Sequence, residues 1–524
     1  MKIKLPQRYL DVKIKLPEGN LGTVVKLPQH KIARILSAIL AVVVLGSFIW
    51  VLNTDKVLSQ TCRIPKPQLN SEIPVNPSRT ASNCEDVNIG DFAWRTFVAL
   101  NSPLEGNIGD ASKTPRNWEL YQFPEQVFKA DGTETNPLSH TLRFTEFGSK
   151  FDSKSNSGFA QLALNLIQQG GGDGLEELST LLLGLQPLVD RWGNYILNEV
   201  RMNPVEVKQI VTKGWDSAEG LMPFANFCKS FQLMCSDRSP GGTYPAPNGN
   251  GEICSNNVPC SVEEGNDSEG TIEIKAAWMV LPDTDTYVPP ELETSFLPDV
   301  TKYYTTTRLL SVETPDIKEG SKSKVVEVPV ALVGFHILQK TSQQGWIWST
   351  FEHTDNAPDD DSLPATKHYN LYDPDCTVDC TVNTPMATEP YLWQLDFPHA
   401  ATEKNGIVEA QTPSQITRLV PVQKGAKLLN DEWQRALPSF WKNYRLIGVQ
   451  WLRNPYIPYN VVLRGVLPEN ENLANVTLEP YVQKEASGNS CIACHTLAKL
   501  PLPGPVSFPA DFSFLMRHAK DSLP

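Results

Sequence analysis

The sequence predicts an α+β fold of mostly antiparallel strands with helices, long disulfide-stapled loops and one N-terminal transmembrane helix. Three observations support this prediction. Strand-like runs follow one another along the middle of the chain without intervening helices, which is typical of antiparallel sheets. One long apolar segment lies near the N-terminus, and 42 prolines and 32 glycines among 524 residues indicate many loops.

Residues 1–34 form a basic tail that we expect to be cytoplasmic. Eight Lys and Arg residues against Asp11 and Glu18 give it a formal charge of +6. Lys-Leu-Pro recurs every eleven residues, beginning at Lys4, Lys15 and Lys26. Each copy contains a proline, which breaks helices, so these Lys-Leu-Pro repeats predict an extended arm.

Residues 35–52 form an uncharged apolar run of eighteen, which is just long enough to cross a bilayer as a helix. The basic tail before it favours a single-pass anchor in a bacterial inner membrane. The large domain would then lie in the periplasm or an equivalent exported compartment. A cleaved signal peptide is the alternative.

The exported part divides into an α+β domain at 53–425 and a C-terminal helical segment at 426–524. Helical patterns occur at 158–169, 175–185 and 426–437. Runs at 271–281, 324–339 and 345–352 are rich in β-branched and aromatic residues, and we expect them to be neighbouring strands of one sheet.

The charge of the chain excludes one class of partner. The total is −13, so the residues after the basic tail carry −19. Such a domain should not bind nucleic acid through its phosphates, whereas it suits a basic redox partner protein. Nucleotide-binding loops and the serine-hydrolase elbow do not occur in the sequence.

Eight of the ten cysteines are expected to form structural disulfides, because export places them in an oxidising compartment. The shortest closures are Cys62 with Cys84, Cys376 with Cys380, and two bridges among Cys228, Cys235, Cys254 and Cys260.

The remaining two cysteines belong to the pentapeptide Cys491-Ile492-Ala493-Cys494-His495, whose C-x-x-C-H pattern is typical of c-type haem attachment. On one helical turn, Cys491 and Cys494 present their sulfurs to the two vinyl groups of a haem, and His495 reaches the iron. We therefore predict one covalent haem c per chain, with His495 as the iron ligand. A zinc half-site and a thioredoxin-like dithiol are the alternatives.

Only 29 residues follow His495, so the upstream chain must help to enclose a haem, with the C-terminal haem-binding segment packed on the larger domain. The nearest candidates for the sixth ligand are Met516 and His518, although Met516 can equally be core packing. Upstream donors that only tertiary folding could bring close are His336, His353, His368 and His399.

A second unusual passage is 345–356, where two tryptophans precede Glu352 and His353. Glu352, His353 and Asp355 could act as acid, base or metal ligands. On a strand, however, Glu352 and His353 point to opposite faces, which favours a structural role at a strand end.

The chain resembles a group of large bacterial mono-haem proteins described as cytochrome c family proteins. The matching passages are 91–101, 334–337 with 346–356, 473–479, and 491–495 followed by 510–514. The resemblance implies covalent haem and an exported location, and no substrate. Asn101-Ser102-Pro103 stands where the group has Asn-Trp-Pro, a departure that touches no haem residue.

The sequence thus predicts a membrane-anchored periplasmic cytochrome that transfers electrons. Two other functions remain open: a haem-containing oxidoreductase with a substrate in the upstream domain, and a haem-based sensor.

Overall fold

The computed structural model forms two compact units, Met1–Ile64 and Pro65–Pro524. The residues that it describes are 9–12, 25–28, 62–78, 84–104, 106–110, 115–128, 141–143, 186–222, 253–254, 258–259, 270–282, 297–314, 322–341, 343–360, 363, 365–452, 472–484, 490–495, 498, 500, 510 and 512–519.

The first unit contains an antiparallel pair of strands, β1 (Tyr9–Val12) and β2 (Val25–Pro28). β2 contains the third Lys-Leu-Pro repeat, and β1 lies between the first and the second.

The second unit contains the remaining described strands. They are β3 Thr141–Arg143, β4 Leu197–Met202, β5 Ile253–Cys254, β6 Val258–Pro259, β7 Ile272–Val280, β8 Thr305–Thr314, β9 Lys322–Thr341, β10 Gly345–His353, β11 Leu392–Trp393, β12 Ala400–Lys404, β13 Ile407–Ala410 and β14 Tyr444–Trp451.

Its described helices are α1 Glu85–Asn101, α2 Pro124–Val127, α3 Pro204–Lys213, α4 Lys424–Ala436 and α5 Cys491–His495, with 3-10 turns at Asn117–Leu120, Val300–Lys302, Ser439–Asn443 and Leu515–His518. Local chemistry sets the bounds of α3. The Asn203 side chain accepts from the Glu206 amide, Pro204 is the first helical residue, and Gly214 ends the helix at φ 70°.

A seven-stranded sheet forms the centre of this unit, in the order β14-β10-β9-β7-β4, with β8 and β3 attached through β9. The pairs are antiparallel except β3 with β8. β9 is long enough to pair with β8 in its first half and β10 in its second, while β7 lies along its other edge. The strand-like runs at 271–281, 324–339 and 345–352 therefore occupy the adjacent strands β7, β9 and β10.

One face of the sheet, the helix face, carries Phe335 and Phe351 beneath α1 and α4. Phe97 of α1 stacks on Phe351 with ring centroids 4.3 Å apart, and Trp94 stacks on Trp433 of α4 at 5.5 Å. This aromatic packing buries most of α1, including residues on all its sides.

The opposite face, the C-terminal face, carries Leu338 and Trp348, which pair across β9 and β10. The C-terminal residues pack here. The cluster contains Met202, Leu338, Trp346, Trp348, Leu452, Ile492, Ala498, Leu500, Ala510, Phe512, Leu515 and Met516. Residues 426–524 contribute α4, β14 and α5 to the same compact unit as the rest of the sheet.

The predicted fold class requires one correction, which concerns the transmembrane helix. Residues 35–52 lie outside the described residues. Among those described, no helix combines the length and the apolar character that a bilayer crossing needs. The longest described helix, α1, has 17 residues, and most of its side chains are buried in the core. It also carries four charged residues: Glu85, Asp86, Asp91 and Arg95. The described architecture is thus α+β, with mixed helices and antiparallel sheets and without the predicted membrane-spanning helix.

Several other predictions can be placed. Cys376 and Cys380 form a disulfide, and Cys62 and Cys84 are each disulfide-bonded. The side chains of Cys228, Cys235, Cys254 and Cys260 lie outside the described residues, as do the helical patterns at 158–169 and 175–185. The pattern at 426–437 corresponds to α4.

Candidate functional site

Helix α5 is fixed to the sheet at its first turn. The amide of Ile492 donates to Oε1 of Gln450 on β14, at 3.3 Å, and the amide of Ala493 donates to Oγ of Ser490. Ile492 is buried against the C-terminal face. These contacts orient a single turn of helix that carries Cys491, Cys494 and His495.

Cys491 and Cys494 are both outside disulfides, and both are partly accessible. Burial, together with the negative charge of Glu479, raises the pKa of the Cys491 thiol well above its usual range. The thiol is therefore held in its neutral form.

The ring of His495 is oriented by a backbone carbonyl. Nδ1 donates to the carbonyl oxygen of Phe512 at 2.5 Å, which fixes the proton on Nδ1 and leaves the lone pair on Nε2. Burial lowers the pKa of His495 to about 4, so the imidazole is neutral at ordinary pH. A neutral imidazole with its second nitrogen held by a carbonyl is the usual form of a metal-binding histidine.

Aromatic rings enclose His495. The ring of Trp348 lies edge-on at 5.8 Å and that of Phe514 lies at 5.1 Å. Backbone hydrogen bonds from Ala498 to His495 and from Ala510 to Ala498 bring the chain after α5 back to this site. Phe512 then packs against Trp348 at 5.7 Å.

A charged group lies beside the pentapeptide on the C-terminal face. His336 on β9 has its Nε2 3.3 Å from Oε2 of Glu479, and Lys275 lies opposite His336 on β7. His336 and Lys275 hold the pKa of Glu479 below its usual value despite its burial, so it is a carboxylate.

The other predicted ligands have different surroundings, and Met516 shares its apolar cluster with Ile492 of α5. Met516 is fully buried in the cluster on the C-terminal face, and the ring of His518 lies 6.0 Å from that of Phe128. His353 stacks on Tyr303 and His399 on Trp393, both away from α5.

The structure brings two of the three predicted residues Glu352, His353 and Asp355 together: Nδ1 of His353 accepts from the amide of Asp355 at 3.1 Å, whereas Glu352 lies on the other face of β10. Glu352 forms a buried ion pair with Arg418, whereas Nε2 of His353 lies 3.0 Å from the carbonyl oxygen of Lys302. Asp355 pairs with Lys367 near the surface. Glu352 and His353 thus have separate structural partners on opposite faces of β10.

Within the described residues, one group of three metal-ligating side chains clusters closely: His368, Asp373 and Asp375. His368 Nε2 lies 3.0 Å from Asp375 Oδ2 and 3.4 Å from Asp373 Oδ1. The group lies at the surface in the loop that carries the Cys376–Cys380 disulfide.

A cavity of about 470 Å³ is lined by Glu119, Arg201 and Arg308 among others. Arg201 alternates along β4 with Val200 and Met202, which pack on the C-terminal face, so the cavity adjoins the helix face instead. Its charges are paired, since Arg308 contacts Glu119 at 2.6 Å and Glu199 at 2.9 Å.

Comparison with known proteins yields no match: no family model, no curated protein and no solved structure matches the chain.

Sequence reasoning missed three parts of this site: the Phe512 carbonyl, Gln450 and Glu479. Every residue has a backbone carbonyl, so the sequence cannot indicate which one binds His495. Gln450 resembles any other polar residue of a strand. Glu479 lies in the passage 473–479, where the resemblance gave the one available signal.

Proposed function

We propose that this protein is a c-type cytochrome that binds one haem covalently and transfers electrons. The observation that carries the proposal is the one-turn helix α5. It presents Cys491 and Cys494 as thiols outside any disulfide, beside a neutral His495 whose Nδ1 is held by the Phe512 carbonyl.

These residues fit a haem c. Cys491 and Cys494 would hold the group through thioether bonds, and His495 Nε2 would bind the iron. When bound, the haem supplies a one-electron couple. The Phe512 carbonyl keeps the imidazole oriented, and the rings of Trp348 and Phe514 lie against it.

The same proposal includes an exported compartment and a protein partner. The Cys376–Cys380 disulfide supports an oxidising compartment such as the bacterial periplasm. The charge of −13 favours a redox partner with a basic surface and disfavours nucleic acid.

The first test is to produce the full chain with c-type maturation machinery and to count haem as the pyridine haemochrome. We expect one bis-thioether haem per chain. The double substitution Cys491→Ala/Cys494→Ala should abolish covalent haem. His368→Ala, which changes a histidine away from α5, is the matched control and should keep the full amount.

The absence of covalent haem from the unsubstituted chain, beside a control cytochrome that matures normally, would contradict the proposal. A haem that is present but binds carbon monoxide when reduced would favour a sensor or an oxidoreductase over a simple electron carrier.

A further inference from the structure

The hydrogen bond of His495 determines which side of its ring the C-terminal residues occupy. The two nitrogens of an imidazole point in different directions, and Nδ1 faces the Phe512 carbonyl. Iron at Nε2 would therefore lie away from Phe512 and the short turn that follows it. Met516 and His518 belong to that turn, so their positions do not suit the opposite face of a haem.

The side chains of these two residues also have other surroundings. Met516 is fully buried in the apolar cluster with Leu338 and Trp346. His518 lies beside the ring of Phe128 at 6.0 Å. The sixth ligand, if the protein supplies one from its described residues, must come from upstream.

Three of the four described upstream histidines are held elsewhere. His353 stacks on Tyr303 at 3.9 Å, and His399 stacks on Trp393 at 4.5 Å. His368 lies with Asp373 and Asp375 at the surface.

His336 is placed differently. It lies two residues from Leu338 on the same face of β9, and Leu338 pairs with Trp348, whose ring is 5.8 Å from His495. His336 is 8% exposed, and its Nε2 lies 3.3 Å from Oε2 of the Glu479 carboxylate, which places the ring proton on Nε2 and leaves the lone pair on Nδ1. A histidine whose N–H faces a carboxylate is suited to binding a metal through its other nitrogen.

We propose that His336 is the second axial ligand of the haem iron, with Glu479 as the positioning carboxylate beside it. The inference rests on the proposed function, because it needs the haem that α5 would hold. It assigns the central sheet a direct part in the redox site: β9 supplies one ligand and α5 the other. Two imidazole ligands give a six-coordinate iron suited to electron transfer.

The test begins with the matured full chain, in which haem content and iron ligation are measured separately. The pyridine haemochrome reports the haem, and electron paramagnetic resonance with near-infrared magnetic circular dichroism reports the ligands. We expect a low-spin ferric haem with a bis-histidine signature and no response of the reduced protein to carbon monoxide.

Substitution then identifies the ligand. His336→Ala should give a high-spin haem that binds carbon monoxide, and added imidazole should restore the low-spin state. His336→Met should give the charge-transfer band of methionine ligation and a higher midpoint potential. The matched controls Met516→Leu and His518→Ala should leave ligation unchanged.

Several results would overturn the assignment. They are a methionine-ligated or five-coordinate haem in the unsubstituted protein, a His336→Ala haem that stays low-spin without added imidazole, or loss of ligation in either control. If His336→Ala does not mature, the near-infrared signature of the unsubstituted protein and the His336→Met band still decide the matter. Covalent haem with the wrong ligand would remove only this inference, whereas absence of covalent haem would remove the proposed function as well.

Discussion

At the residue scale, the buried pair of Glu352 and Arg418 shows how a candidate acid becomes a structural group. Glu352 is fully buried, and its second oxygen accepts from the amide of Val476 at 2.7 Å. Arg418 is also buried and donates to the other oxygen. Arg418 compensates the Glu352 charge, while Glu352 and Asp359, whose Oδ1 lies 3.2 Å from Nε of Arg418, compensate the arginine.

We predict that Glu352→Gln destabilises the protein by about 3 kcal/mol, because it leaves the buried Arg418 charge with only the partly exposed Asp359 as a carboxylate partner. Urea unfolding of the matured chain measures the loss as a shift of the midpoint. Glu432→Gln is the control, since Glu432 pairs with Arg435 at the surface of α4 and its loss should cost below about 0.5 kcal/mol. Equal shifts in the two variants would contradict the prediction, as would a change in the haem spectrum of Glu352→Gln.

Asp190 determines a pH dependence of stability. It is fully buried, and its Oδ1 accepts from the amides of Trp192 and Asn194. Burial raises its pKa from an ordinary value of 3.8 to about 7. Between these values the folded protein keeps a proton that the unfolded chain releases, so the free energy of unfolding falls as pH rises.

Between pH 4 and 8 the ionisation of Asp190 should lower the free energy of unfolding by about 4 kcal/mol in total. We predict that Asp190→Asn removes this decrease. Unfolding free energies measured across that range should therefore become more favourable for the variant, relative to the unsubstituted protein, as pH rises. Asp431→Asn, at an exposed position of α4, controls for the removal of one negative charge. Parallel pH profiles for the unsubstituted protein and Asp190→Asn would count against the assignment.

At the scale of elements, Gly334 allows the segment 473–479 to lie on β9. A Cβ at Gly334 would come within 2.0 Å of the Thr477 Oγ1. Asn475 attaches the same segment to β10 through Thr350 Oγ1, at 2.7 Å. Only a glycine at position 334 leaves room for Thr477, and the segment that packs there carries Glu479.

Gly334→Ala should destabilise the protein by about 1 to 3 kcal/mol through this overlap. Thr477→Ala removes the atom that Cβ would meet, so the double variant should lose less than the sum of the single losses. Urea unfolding of the four proteins gives the coupling. Additive losses would show that the overlap is relieved in another way.

The elements differ in how far the sequence reveals them. The runs that became β7, β9 and β10 are recognisable because β-branched and aromatic residues fill strands that are buried on both faces. Helix α1 was missed as a helix because it is buried on nearly all sides, which removes the amphipathic pattern that marks a surface helix. The predicted membrane helix at 35–52 rested on an uncharged apolar run with a basic flank, and among the described residues no helix is long and apolar enough to cross a membrane.

The candidate site likewise combines residues that the sequence reveals with residues that it does not. The pentapeptide is recognisable because its three groups lie on one turn, so their spacing is local. His336 and Glu479 approach α5 through strand pairing and the docking of a distant segment, and no sequence spacing records either contact. Such residues become visible only when the sheet is assembled.

At the scale of the whole molecule, the surplus of acidic residues should govern encounters with redox partners. The formal charge of −13 creates a negative field that extends about 10 Å at 0.1 M salt and about 3 Å at 1 M. Cationic partners are attracted through this field and anionic ones repelled, so salt should act on the two in opposite directions.

We predict that electron exchange between the matured protein and a cationic reagent, such as hexaammineruthenium, slows several-fold between low and high salt. Exchange with anionic ferricyanide should become faster over the same range, because salt screens the repulsion. Stopped-flow rates at matched driving force measure both, and a neutral quinone serves as the control with little salt dependence. A common direction of change for the two charged reagents would mean that the surface near the haem does not share the sign of the whole molecule. The expectation of a basic protein partner would then fail with it, since that expectation depends on the same field.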